Sequence, residues 1–197
     1  MKKLLLFSAL LFSCVAAKAD EKIINEYSKS FDKAYSLHPE IPRGMLEAVA
    51  FCNTRFAHIT HSSSEQESCT GIPKAYGVMG LTLDGKNYFF NNLQLVSDLS
   101  MVSANDIISN PEKNILAYAG AYAKVKKLLG IKSNKAEDQL SILTYLSELP
   151  RETAGQIYAL VTQEYGYVQF LMNSNYLHQI FLQDLNYDLE THVLVDN

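Results

Sequence analysis

The chain has 197 residues, 48% of them hydrophobic, with 17 Lys and Arg against 21 Asp and Glu and a formal charge of −4. That acidic balance, without clustered cations, argues against nucleic acid or an anionic membrane as the partner. The length suits one domain with a sizeable core. No segment approaches the roughly 20 consecutive apolar residues that a membrane-spanning helix needs.

Residues 1–19 read as an export signal. Lys2 and Lys3 precede an apolar run from Leu4 to Val15, and Ala17-Lys18-Ala19 is a small-x-small cleavage site before Asp20. Cleavage there leaves a mature chain 20–197 with 14 basic and 21 acidic residues and a charge of −7, placed in the periplasm or at the cell surface. Leu11-Phe12-Ser13-Cys14 also loosely resembles a lipoprotein signal, which would acylate Cys14 and tether the protein. With Cys14 removed, Cys52 and Cys69 remain as an even pair in an oxidising compartment, the condition for a disulfide.

The mature chain reads as helical almost throughout. Ile23, Ile24, Tyr27, Phe31 and Ala34 or Tyr35 recur at helical spacing and predict an amphipathic helix from Glu21 to Leu37, ended by Pro39. Ile41-Pro42-Arg43 opens a second helix whose apolar side is Met45, Leu46, Val49 and Ala50 and which finishes near Asn53. Thr54 to Lys74, rich in Ser, Thr, His and Gly, reads as a loop. Asp84-Gly85, between Leu81-Thr82-Leu83 and Tyr88-Phe89-Phe90, is a hairpin signal.

Short helices follow near 92–99 and 104–109. Asn110-Pro111-Glu112 then opens the clearest helix, with Ile115, Ala119, Tyr122 and Leu129 on its apolar face and Gly130 as terminator. Lys135 to Leu149 and Arg151 to Met172 are read as two more helices, the latter with Ile157, Val161, Tyr165, Val168 and Met172 on one side. The tail from Tyr176 to Asn197 has a mixed pattern, read as helix and then an extended segment. No repeat, charge block or Pro/Gly-rich linker marks a second domain.

Three segments carry a motif pattern. The first is Leu46 to Phe56, ending Asn53-Thr54-Arg55-Phe56; the second is Ala75-Tyr76-Gly77-Val78-Met79-Gly80-Leu81; the third is Asn110 to Ile115 with Tyr118, Gly120 and Tyr122. Together they resemble the core of lysozyme-like lytic transglycosylases, with a Glu-Ser-x-Phe signature at a helix end and a later Gly-Leu-Met-Gln signature. Ser141-Ile142-Leu143-Thr144-Tyr145 resembles that family's Ala-Ala-Tyr-Asn, which would set Tyr145 facing the catalytic acid. The resemblance implies a mainly α, lysozyme-like domain with a small β-hairpin. Its departures fall on functional positions: Asn53 stands where the family has its acid, Gly80 where it has glutamine, and Leu146 where it has asparagine. By overall texture, Pro42-Arg43-Gly44, Asn53 to Phe56, Ser68-Cys69-Thr70-Gly71 and Tyr76 to Leu81 look closer still to the lysozyme-like modules that precede the catalytic domain of some secreted N-acetylmuramoyl-L-alanine amidases.

Glycosidic cleavage needs a protonated carboxyl beside the bridging oxygen, and an amide at Asn53 has no proton to give near neutral pH. The expected function is therefore a non-catalytic, peptidoglycan-associated module, with Asn53, Arg55, Tyr76, Met79 and Tyr145 as substrate-binding residues and no cofactor. Peptidoglycan glycan or a muropeptide is the expected ligand, and a cell-wall amidase or other envelope protein a possible partner. One alternative is an active muramidase or lytic transglycosylase drawing a displaced acid from Glu65 or Glu67, residues whose ordinary reading is a solvated loop. Another is a protein-interaction or inhibitory subunit.

Several residues carry plainer readings. Glu47, nearly two turns before Asn53, reads as a surface charge. His58 and His61 with Cys52 and Cys69 are the ligand types of a structural zinc site, although export favours the disulfide. Tyr76, Tyr88, Phe89, Tyr118, Tyr122 and Tyr145 are aromatic faces that could meet sugar, with core packing the default for most. Arg55 reads as a contact to a peptide-stem carboxylate, to Asp84, or as a surface ion pair.

Overall fold

The computed structural model describes residues 26–62, 65, 73–83, 89–147 and 149–172. The export signal, Glu67, Cys69, Asp84, Gly85, Tyr88 and the tail lie outside the described residues. Within them the chain forms seven helices and a two-stranded antiparallel sheet. No helix among them is long and apolar enough to cross a membrane.

Helix α1 covers 26–37 and buries Tyr27, Phe31, Ala34 and Tyr35, the stripe read from its spacing. Helix α2, Met45–Thr54, is the core of the molecule: every residue from Met45 to Ala50 is buried, which takes in nearly its whole circumference. It ends abruptly because Arg55 and Phe56 both adopt left-handed backbone, φ 55° and 62°. Bulky residues rarely do so, at a cost of about 1–2 kcal/mol each. The turn drives the Phe56 ring into a cluster with Phe31, Phe51 and Phe170, the centroids lying 5.7 Å from Phe51 and 6.3 Å from Phe170. Its burial there offsets the strain.

The sheet differs from its expected form. Strand β2, Leu81–Leu83, stands where a strand was read, but its partner is the preceding β1, Lys74–Tyr76, with Tyr76 opposite Leu81. The turn therefore runs through Gly77 to Gly80, and Phe89-Phe90 is not a strand. Gly77 and Gly80, at φ 73° and 63°, supply the left-handed positions that a tight reversal needs. The Asp84-Gly85 turn read from the sequence lies outside the described residues.

Helices α3 (Asn92–Ser100), α4 (Ala104–Ser109), α5 (Pro111–Leu128), α6 (Ala136–Tyr145) and α7 (Ala154–Met172) complete the fold. The Ser103 hydroxyl accepts from the Asp106 N–H at 3.2 Å, and the Asn110 side chain accepts from the Lys113 N–H at 2.9 Å, capping α4 and α5. Ile115, Ala119 and Tyr122 of α5 are buried as read, but Leu129 falls past the helix end and is exposed, Val125 taking the core position instead.

The apolar face assigned to α7 is also corrected. Ile157, Val161 and Tyr165 are exposed, while Leu160 and Tyr167 are buried and α7 meets α2 through Gln163, Gly166 and Phe170. Both stripes have helical spacing. The one that packs contains the polar Gln163, which hides it from a reading based on apolarity alone.

Candidate functional site

The three motif segments meet at the Gly77–Gly80 turn. Asn114, fully buried on α5, accepts a hydrogen bond from the Met79 N–H at 2.8 Å and donates one to the Ile107 carbonyl at 3.1 Å. Its side chain fills the space beside Gly77, where an added Cβ would lie 2.0 Å from Nδ2. From the other side, the Thr54 hydroxyl of α2 lies 2.6 Å from the Val78 carbonyl and 2.8 Å from that of Ala50. Asn53 donates from Nδ2 to the Met79 carbonyl at 3.0 Å. The turn is thus held against the end of α2 by one amide from each side and one hydroxyl.

Gly80 makes that close approach possible. A Cβ there would stand 2.7 Å from the Asn53 Cβ and 3.0 Å from the Thr54 Cγ2. The second amide atom of Asn53, Oδ1, faces the Gln163 Nε2 of α7 at 3.5 Å. Asn53 therefore ties α2, the turn and α7 together with its donor and its acceptor both engaged.

A cavity of about 310 Å3 opens beside it, lined by Cys52, Asn53, Pro73, Ala75, Gly80, Thr82 and Phe89. That is near the lower end of ligand pockets, about 300–1,000 Å3. Among the described residues no carboxyl lines it. Its wall is braced by Asn92, which accepts from the Thr82 N–H at 2.7 Å and the Thr82 hydroxyl at 3.1 Å, and donates to the Leu146 carbonyl at 3.2 Å.

The expected site residues divide. Asn53 lines the cavity. Met79 is fully buried, and its carbonyl accepts from Asn53. Tyr76, half-buried on β1, packs edge-on against the His61 ring at 5.0 Å. Arg55 folds back over its own helix: it donates to the Phe51 carbonyl at 2.7 Å and its guanidinium lies 4.2 Å from the Phe51 ring centroid. It serves as a C-terminal cap whose charge suits the helix dipole. Tyr145 is exposed and lines a different, larger cavity. Of the other aromatics, Phe89 lines the Asn53 cavity, while Tyr118 and Tyr122 are core residues, the latter donating to Gln139 at 2.9 Å.

Among the acids, Glu65 is exposed and its carboxylate sits 2.8 Å from the His61 Nδ1. The hydrogen bond to His61 holds its pKa below the ordinary carboxylate value, the reverse of what a proton donor requires. The other His61 nitrogen faces the Ala75 carbonyl at 2.8 Å, so both are engaged away from a metal. Glu67 lies outside the described residues. Cys52 lies beside Gly166 and forms no disulfide among the described residues, and burial pushes its thiol pKa up to about 11; its expected partner, Cys69, lies outside those residues.

Glu47 is not the surface charge it was read as. It is buried and accepts a hydrogen bond from the Tyr35 hydroxyl, which itself accepts from the Gly44 and Leu46 N–H groups at 2.8 and 3.3 Å. Burial pushes its pKa up to about 7, against the lowering effects of Tyr35 and Arg43. It belongs to the α1–α2 contact and is not among the residues lining the Asn53 cavity.

Two contributors were missed as site residues. Gln163 gives itself away only as a polar break in an otherwise apolar stripe, and Asn92 only as an amide opening a helix. No protein-family model matches this chain, and neither the curated proteins nor the solved structures include a match to it.

Proposed function

We propose that this is an exported, lysozyme-like, peptidoglycan-associated protein whose Asn53 cavity holds glycan without cleaving it. One observation carries the reading: the position at which the resembling family places its acid is an amide committed to two structural hydrogen bonds, in a cavity that no described carboxyl lines. The cavity's few polar groups and the Phe89 ring suit a small polar ring with an apolar face. Glu65, ion-paired outside that lining, does not supply a raised-pKa acid.

Sedimentation of the mature chain with purified insoluble peptidoglycan tests this. Retention is expected, reduced at least fivefold by Thr82→Trp, which fills the cavity, without release of soluble muropeptides. Failure to sediment would refute glycan binding, and muropeptide release abolished by Glu65→Gln would refute the non-catalytic reading.

A further inference from the structure

A second, larger cavity of about 670 Å3 lies between the start of α3, the ends of α5 and α6 and the segment that follows α6. Phe90, Leu95, Leu129, Tyr145 and Leu149 give it an apolar lining, and Phe90, Leu129 and Tyr145 are substantially exposed there. Its one charged lining residue among those described is Arg151, exposed and in no ion pair among the described residues. Glu164 accepts the hydroxyl hydrogen of the lining residue Thr144, Glu152 follows Arg151 on the exposed run into α7, and Glu148 lies outside the described residues.

We infer that this cavity binds a small amphiphilic anion, its hydrocarbon body against the apolar lining and its carboxylate, sulfonate or phosphate on Arg151. Burying three exposed hydrophobic side chains supplies the driving force, and the guanidinium of Arg151, the charged group among the described lining residues, orients an anionic head. At about 670 Å3 the cavity falls within the range of small-molecule sites, about 300–1,000 Å3, which suits a fatty acid or a single acyl chain with a compact head. It shares no described lining residue with the Asn53 cavity, and its argument does not rest on the glycan-binding role.

Paired fluorescent probes on the mature chain test it: anionic 8-anilinonaphthalene-1-sulfonate and neutral N-phenyl-1-naphthylamine, each titrated and then displaced with dodecanoate. Both should bind saturably and at one site. Arg151→Gln should weaken the sulfonate about fivefold and leave the neutral probe within twofold. Ser141→Trp, at an exposed lining position of α6, should weaken both at least tenfold with an unchanged thermal midpoint. Should that variant misfold, Leu129→Glu provides the same block at an exposed helix end. Absence of saturable binding, equal loss of both probes in Arg151→Gln, or full binding in the blocked variant would overturn the assignment. Displacement by dodecanoate but not by lysophosphatidylglycerol would identify the free acid as ligand; the reverse would identify a lipid headgroup.

Discussion

Glu47→Gln is the sharpest test of the packing around α2, because it removes an ionisable group while keeping the shape and the carbonyl that accepts from Tyr35. The buried carboxyl has a pKa of about 7, raised from 4.5 by desolvation. In the folded state it keeps its proton across a range in which the unfolded chain has lost it. Between those two values the folded form binds more protons, so stability falls as pH rises, by about 1.4 kcal/mol per pH unit and about 3 kcal/mol in all. The contribution is fully present below pH 4.5 and gone above pH 7.

Urea denaturation at pH 5, 6, 7 and 8 measures this. Other groups titrate in the same window, and His58, whose pKa burial lowers, has the opposite slope. The difference between wild type and variant isolates Glu47. Glu47→Gln should gain on the wild type as pH rises, by about 2–3 kcal/mol between pH 5 and pH 8. Parallel stability curves for the two proteins would refute the reasoning, and so would a variant that loses ground at high pH.

The turn that joins the motif segments yields three more expectations. Gly80→Ala meets both a left-handed backbone and the Asn53 Cβ at 2.7 Å, and should cost about 2–4 kcal/mol in chemical denaturation. Asn114→Ala leaves the buried Met79 N–H and Ile107 carbonyl without this side chain, and should cost about 2–4 kcal/mol with a shortened thermal transition. Asn53→Asp, nearly isosteric, sets a carboxyl oxygen against the Met79 carbonyl at about 3 Å unless it keeps its proton. Its pKa should therefore rise, and the variant should lose stability relative to wild type as pH increases from 4 to 7, read by thermal midpoint at each pH.

Much of this arrangement was legible in the chain because backbone-forming residues announce themselves. Pro111 and the Asn110 cap mark α5 and the Tyr27–Phe31–Ala34 stripe marks α1, whereas the turn at Gly77 and Gly80 was not read from the sequence. Side-chain polarity was the weaker guide. Glu47 was read as exposed because it is charged, yet Tyr35, twelve residues earlier on another helix, is what makes its burial tolerable. Gln163 was passed over because its partner, Asn53, is 110 residues away. Helical spacing alone could not choose between the Ile157–Val161–Tyr165 stripe and the Leu160–Gln163–Tyr167 stripe, since only the second shares a face with Gly166, beside Cys52, and Phe170, against the Phe51 and Phe56 rings.

The residues at positions 53, 80 and 146, which differ from the motif they resemble, have a common physical basis. An amide at 53 can donate to the Met79 carbonyl, which an ionised carboxylate cannot, and this draws the turn onto the end of α2. Once the turn is that close, position 80 has no room for a β-carbon, so a glutamine there is sterically excluded. Leu146 is fully in the core, and the carbonyl it contributes is taken by Asn92, whose oxygen holds the adjoining strand at Thr82. At these three positions each group is engaged in a framework hydrogen bond or in packing. An ionised acid placed at 53 would break the contact that fixes the turn, and room for a side chain at 80 would require the turn to move.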